Sequence, residues 1–96
     1  MTYHDLLITR RDEILHIAAR HGADNVRVFG SVVRGQDDAE SDIDLVVDLQ
    51  LGRSLLDLGG LWWDLNEALQ VRVDVITENG LRESIRQRVL SEAVPL

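Results

Sequence analysis

The sequence lacks or is poor in several residue types: it has no cysteine, no lysine, a single proline and only four aromatic residues among 96. Without cysteine there is no disulfide, zinc–thiolate site or thiol nucleophile, which fits a reducing compartment. No segment approaches the ~20 apolar residues of a membrane span, and charge interrupts the opening residues too early for a signal peptide. We therefore expect a cytoplasmic protein without a membrane anchor.

Basic residues are also scarce, and the formal net charge is −7. Binding to long nucleic acid depends on many phosphate contacts made by basic side chains, so this charge argues against it. A small phosphorylated ligand needs only a few local donors or a divalent cation, and it remains possible. All ten basic residues are arginine, which we attribute to genome composition rather than to phosphate recognition.

The length and the composition predict one globular domain over residues 1–96. Apolar residues make up 45% of the chain and charged residues 28%, which is typical of a folded domain rather than a disordered segment. A chain of this length supports one modest core and not a second.

Hydrophobic periodicity and turn residues predict an α/β fold in the order α-β-α-β-α-β-α, a small β-sheet packed by helices. Ser54 is a fair N-cap for the next helix, although Gly59 and Gly60 leave open a frayed first turn or a later start. This helix has an apolar stripe that includes Trp62, whereas Trp63 lies off the stripe. In the last helix, Ile85 and Val89 are expected to face inward. The predicted segments are Tyr3 to His21, Val26 to Phe29, Ser31 to Arg34, Asp42 to Asp48, a helix following Ser54, Val71 to Ile76 and Leu81 to Glu92, with Pro95 ending regular structure.

The segment GSVVRGQDDAESDIDLVVD, residues 30–48, places acids inside the most hydrophobic strand of the chain. Along a strand, residues i and i+2 share a face, so the Cβ atoms of Asp42 and Asp44 are expected about 6–7 Å apart. Ile43 and Leu45 then supply the opposite, apolar face. The strand therefore has one acidic face and one core face.

A third acid, Asp74, interrupts the strand VRVDVIT. If this strand lies beside the strand of Asp42 and Asp44, three carboxylates meet, and their repulsion requires a compensating cation. Oxygen ligands without cysteine or clustered histidine favour Mg²⁺ or Mn²⁺. Two such ions would suit phosphoryl or nucleotidyl transfer.

The Gly30–Ser31 pair follows a strand and opens a helical turn, where backbone amides and a hydroxyl can contact a phosphate. Arg34, one turn later, either reaches that phosphate or pairs with one of the acids. The scattered histidines His4, His16 and His21 lack metal-ligand spacing. The sequence also lacks the glycine-rich motifs of P-loop and Rossmann nucleotide-binding domains.

Taken together, G-S-x-x-R-G, S-D-I-D-L and V-D-V resemble the signature of the minimal nucleotidyltransferase (MNT) domains of the DNA polymerase β-like superfamily. The resemblance implies that the sheet is a small mixed β-sheet with the polymerase β-like nucleotidyltransferase core. It also implies that Gly30 and Ser31 bind a nucleoside triphosphate, that Asp42 and Asp44 ligate Mg²⁺, and that Asp74 is the third acid, which helps to activate the acceptor hydroxyl. Many such proteins are antitoxins that transfer AMP from ATP to a tyrosine of a HEPN toxin, a helical RNase.

Three positions depart from the pattern of that family. Val32 and Val33 replace a basic or aromatic residue followed by alanine, which could alter nucleotide contacts, and Gln70 replaces a frequent glycine. Two alternatives to an adenylylating antitoxin stay open. One is an antitoxin that neutralises its partner by binding alone, and the other is a small nucleotidyltransferase with another acceptor.

Overall fold

The computed structural model describes residues 2–38 and 40–96 and has an α/β architecture with a four-stranded mixed sheet. None of the described helices is long and apolar enough to cross a membrane. The elements are α1 (Tyr3–Thr9), α2 (Arg11–Arg20), β1 (Ala23–Phe29), α3 (Ser31–Arg34), β2 (Ile43–Leu49), α4 (Leu55–Leu69), β3 (Val73–Thr77), α5 (Glu83–Glu92) and β4 (Val94–Pro95).

The sheet has the strand order β3-β2-β1-β4. β1 is antiparallel to both β2 and β4, whereas β2 and β3 are parallel. The parallel pair is connected through α4, which leaves the end of β2 and returns the chain to the start of β3. This crossover places the two acidic strands side by side.

Each face of the sheet has its own apolar cluster. Ile43, Leu45 and Val47 of β2 belong to the main core, together with buried residues of α2 and α4. Val46 points to the other face, where it joins Leu81 and Val89 in a smaller cluster. The alternation expected for β2 is therefore present, and α5 covers only part of the face that carries Asp44.

The first predicted helix is two helices. A capping box between Thr2 and Asp5 begins α1, and the chain turns at Arg10 before α2 starts. The Arg10 guanidinium bonds to Glu13 and to the Ala68 carbonyl, so it ties this turn to the end of α4. Apolar periodicity alone does not reveal such a turn, because the apolar positions continue across it.

Several smaller expectations also need correction. Trp62 is 43% exposed rather than part of the buried stripe, and Ile85 is 37% exposed rather than inward. Pro95 lies within β4, opposite Arg27 of β1. Proline is tolerated there because β4 is an edge strand. Trp63 is 59% exposed, as expected from its position off the stripe.

Helix α4 begins immediately after Ser54, which is the earlier of the starts that the sequence leaves open. The Ser54 hydroxyl and the Asp57 side chain form a capping box. Gly59 and Gly60 lie inside the helix and do not delay its start. At the other end, Gln70 adopts a left-handed conformation with φ of 56°, which explains why a glycine is favourable at this position.

Candidate functional site

Asp44 and Asp74 are direct neighbours in the sheet. β2 and β3 are parallel, and their register pairs Asp44 with Asp74. Side chains of paired residues in adjacent strands point to the same face, so the two carboxylates lie side by side. Asp44 is half-buried and Asp74 is exposed. The two acidic strands are thus adjacent, and this adjacency brings Asp44 and Asp74 together.

Asp42 lies one residue before β2, and it is ion-paired. Its Oδ1 is 2.9 Å from Nε of Arg72, although the N–H does not point at the oxygen and no hydrogen bond forms. Arg72 also donates a hydrogen bond to the Glu40 carbonyl. Arg72 is not among the residues that the sequence analysis singles out. Its position within a β-branched strand, two residues before Asp74, could have indicated a partner for the acids.

The electrostatic state of Asp44 reflects its crowded surroundings. Burial, followed by repulsion from Asp74 and Asp42, raises the pKa of Asp44 from 3.8 to about 6. Arg34 opposes the shift and Glu92 adds to it. A strongly perturbed acid in a cluster of like charges is typical of a functional site, because its ionised form is incompletely balanced.

Gly30 allows the turn after β1 to approach this cluster closely. Its φ is 82°, and a Cβ at this position would lie 2.4 Å from Asp44 Oδ2. The positive φ therefore favours glycine, and any side chain here would displace the Asp44 carboxylate. Ser31 follows as the first residue of α3, so the Gly30–Ser31 turn lies directly against Asp44.

Arg34 pairs with an acid, but not with Asp42, Asp44 or Asp74. Its Nη1 lies 2.6 Å from Oε1 of Glu92, at the end of α5. The other carboxylate oxygen of Glu92 accepts a hydrogen bond from the Gly30 N–H at 3.3 Å. Sequence reasoning missed Glu92, since no motif marks it and only the path of α5 brings it here.

The donor set of this cluster fits a hard divalent cation. Three carboxylates are close together, and Asp42 Oδ1 is buried without a hydrogen bond. Within residues 2–38 and 40–96, no three His, Asp or Glu side chains already form a ready-made metal site. Asp42, Asp44 and Asp74 are the residues that would hold such a cation, which would offset their mutual repulsion.

The apolar residues of α3 serve a different purpose. Val32 is buried in the main core and Val33 packs against it. Both also line an apolar cleft of about 270 Å³ between α1, α3 and β4. None of the acids or Gly30 lines this cleft. Packing therefore accounts for these two residues, and the cleft is separate from the acidic site.

Comparisons with known proteins agree with this geometry. The family model described as nucleotidyltransferase domain matches residues 11–96. A candidate protein adenylyltransferase of Methanocaldococcus jannaschii, MJ0435, is 40% identical over 82 residues, which are 85% of this chain and 88% of that protein. The protein adenylyltransferase MntA of Thermococcus cleftensis is 39% identical over 75 residues, covering 78% and 76% of the two chains.

Solved structures show the same fold. A structure described as a candidate minimal nucleotidyltransferase superposes with a TM-score of 0.86 at 49% identity and covers 96% of this chain and 94% of its own. A toxin–antitoxin structure with AMP-PNP superposes with a TM-score of 0.75 at 21% identity, covering 88% and 69%. The latter similarity concerns the fold alone.

The chain belongs to the nucleotidyltransferase domain family. Within that family it has the fold of a minimal nucleotidyltransferase, and by homology it is a nucleotidyltransferase enzyme similar to the MntA protein adenylyltransferases.

Proposed function

We propose that this chain is the antitoxin of a HEPN/MNT pair and transfers AMP from ATP to a tyrosine of its HEPN toxin with the help of Mg²⁺. The observation that carries the proposal is the in-register pairing of Asp44 with Asp74 beside the Gly30–Ser31 turn. Relatives named protein adenylyltransferases support the reaction. The toxin–antitoxin structure with AMP-PNP supports the type of partner and the nucleotide.

Each site residue has a role in this proposal. The backbone of Gly30 and Ser31, together with Arg34, binds the triphosphate. Asp42 and Asp44 hold divalent cations, and Asp74 completes the acidic set. Mg²⁺, when bound, would neutralise the charges of the carboxylates and phosphates and orient the triphosphate.

The reaction is a nucleotidyl transfer. The tyrosine oxygen attacks the α-phosphorus of ATP, the bond to the β-phosphate oxygen breaks, and pyrophosphate leaves. Asp74 accepts the proton of the tyrosine hydroxyl, as a general base. Its exposed position on β3 suits an acceptor carried by another protein, because a bulky partner can approach it from solvent.

The proposal is tested with ATP labelled at the α-phosphate, Mg²⁺ and the product of the neighbouring gene, which we expect to be a HEPN-family protein with an R-x4-H signature. We expect label on that protein and none on a variant that lacks the acceptor tyrosine. Asp44→Asn should reduce the transfer by on the order of 100-fold, because it removes a charged ligand from the reaction centre. Asp24→Asn, at an exposed site far along β1, is the matched control and should retain activity.

Two results would redirect the proposal. If Asp44→Asn neutralised the toxin as well as the wild-type protein and no label ever transferred, neutralisation by binding alone would be the function. If label appeared on another acceptor, the chain would be a nucleotidyltransferase with a different substrate.

A further inference from the structure

The carboxylate of Glu92 binds the hydrogen-bond donors that would be expected to contact a phosphate. One oxygen contacts the Arg34 guanidinium at 2.6 Å, and the other accepts from the Gly30 N–H at 3.3 Å. The side chain is only 18% exposed, and Arg34 is also held by a 3.0 Å hydrogen bond from its Nε to Gln36. The carboxylate thus bridges two donors that flank Ser31.

This location is unfavourable for an acid in two respects. Glu92 is the last residue of α5, whose final turn contains no basic residue, and the negative end of the helix dipole disfavours an anion there. Glu92 also adds negative charge near Asp44. Helix stability therefore does not explain an acid at this position, whereas its two donor contacts do.

The donors that Glu92 occupies are the ones that the proposed function assigns to the triphosphate. A carboxylate and a phosphate both bind guanidinium and amide N–H groups as anions. The two anions cannot use the same donors at once, and they also repel each other.

We propose that Glu92 is an internal substitute for a phosphate of the nucleotide: it holds the Gly30 amide and Arg34 until the triphosphate displaces it, and it thereby weakens nucleotide binding. This inference rests on the proposed function. Glu92 is a positioning residue, because it acts through the groups that bind the nucleotide and not on the reacting atoms.

The test is the affinity for AMP-PNP with Mg²⁺, measured by isothermal titration calorimetry on the full chain. Glu92→Gln keeps the size of the side chain but removes its charge. We expect this variant to bind about threefold to tenfold more tightly than the wild-type protein. In the transfer assay its KM for ATP should fall by a similar factor with little change in kcat, because the change affects binding and not the chemical step.

Two further variants sharpen the test. Glu83→Gln makes the same substitution at the exposed start of α5 and should leave the affinity unchanged. Glu92→Asp keeps the charge but has a shorter side chain that cannot hold both donors, so a smaller gain in affinity is expected. The Asp variant also provides the answer if Glu92→Gln folds poorly by circular dichroism.

A purely structural role predicts the opposite result. If Glu92 only holds Arg34 in place, Glu92→Gln will bind AMP-PNP as the wild type does or more weakly, and the inference is overturned while the proposed function stands. If the wild-type protein itself binds no AMP-PNP with Mg²⁺, the proposed function fails and this inference falls with it.

Discussion

At the scale of single residues, the site is defined by charge that the protein itself does not fully balance. Asp42 has Arg72 as a partner and Glu92 has Arg34. Asp44, between Asp74 and the Gly30 turn, has no ion-pair partner within 4 Å among the described residues, and its pKa rises to about 6. Such residual charge costs stability in the absence of a cation, and it is the reason that a cation would bind.

This raised pKa predicts an unusual dependence of stability on pH. An acid with a pKa of 3.8 in the unfolded chain and about 6 in the folded protein makes the folded state bind more protons between these values. Its contribution to the free energy of unfolding therefore falls as pH rises from about 4 to about 7. Because Asp44 is half-exposed, we expect a change of only about 1 kcal/mol.

The measurement is urea denaturation in a metal-free buffer from pH 4 to pH 7, for the wild type and for Asp44→Asn. Other carboxyls, such as those of Asp5 and Asp57, have lowered pKa values and contribute the opposite slope, so the difference between the two proteins is the relevant quantity. The variant should gain stability relative to the wild type as pH rises. Parallel curves would contradict the assignment.

At the scale of elements, the position of Asp74 depends on how α4 holds the start of β3. Asn66 of α4 uses its side-chain amide in both directions: Nδ2 donates to the Val73 carbonyl at 2.9 Å, and Oδ1 accepts from the Val73 N–H at 3.0 Å. Val73 directly precedes Asp74. The helix therefore fixes the register of the strand that carries the third acid.

We expect Asn66→Ala to lower the free energy of unfolding by about 2 kcal/mol, because two hydrogen bonds to partly buried backbone groups are lost. Transfer activity should fall as well, since the backbone beside Asp74 loosens. Glu67→Ala, the next and exposed residue of α4, is the control and should change stability by less than about 0.5 kcal/mol. Chemical denaturation measures both, and equal stability of the two variants would refute the role of Asn66.

Much of this element-scale organisation could be predicted from the sequence. Ser54 before an apolar stripe marks the start of α4, and the alternation around Asp44 separates the two faces of the sheet correctly, because both signals are local. The turn at Arg10 depends on a residue 58 positions away, and the two contacts of Glu92 depend on residues 58 and 62 positions away. Long-range contacts of this kind leave no periodic trace in a single sequence.

At the scale of the whole molecule, the net charge is −7, so negative charge alone does not distinguish the acidic site from the rest of the surface. The close arrangement of its acids does. Acids occur over much of the surface, but three of them lie together at the Asp44–Asp74 end of the sheet. A substitution within this cluster should therefore abolish specific cation binding and leave the weak, general attraction of cations to the surface unchanged.

We expect Mg²⁺ at about ten times its dissociation constant to raise the melting temperature of the wild-type protein by roughly 5 °C, because the ion binds the folded state and not the unfolded chain. NaCl at equal ionic strength provides the control for general screening. Asp44→Asn should show no more than the NaCl effect. Equal Mg²⁺ responses in wild type and variant, followed by differential scanning fluorimetry, would argue against a cation site here.

The two hydrogen bonds between the Asn66 side chain and the Val73 backbone have a consequence for self-association. β3 and β4 are the outer strands of the sheet, and exposed outer strands can recruit strands from other molecules. The Asn66 amide already occupies the outward backbone groups of Val73, and Pro95, in the two-residue β4, has no N–H to offer. Both features disfavour the addition of a strand at the edges of the sheet, so we expect the protein to resist polymerisation of this kind.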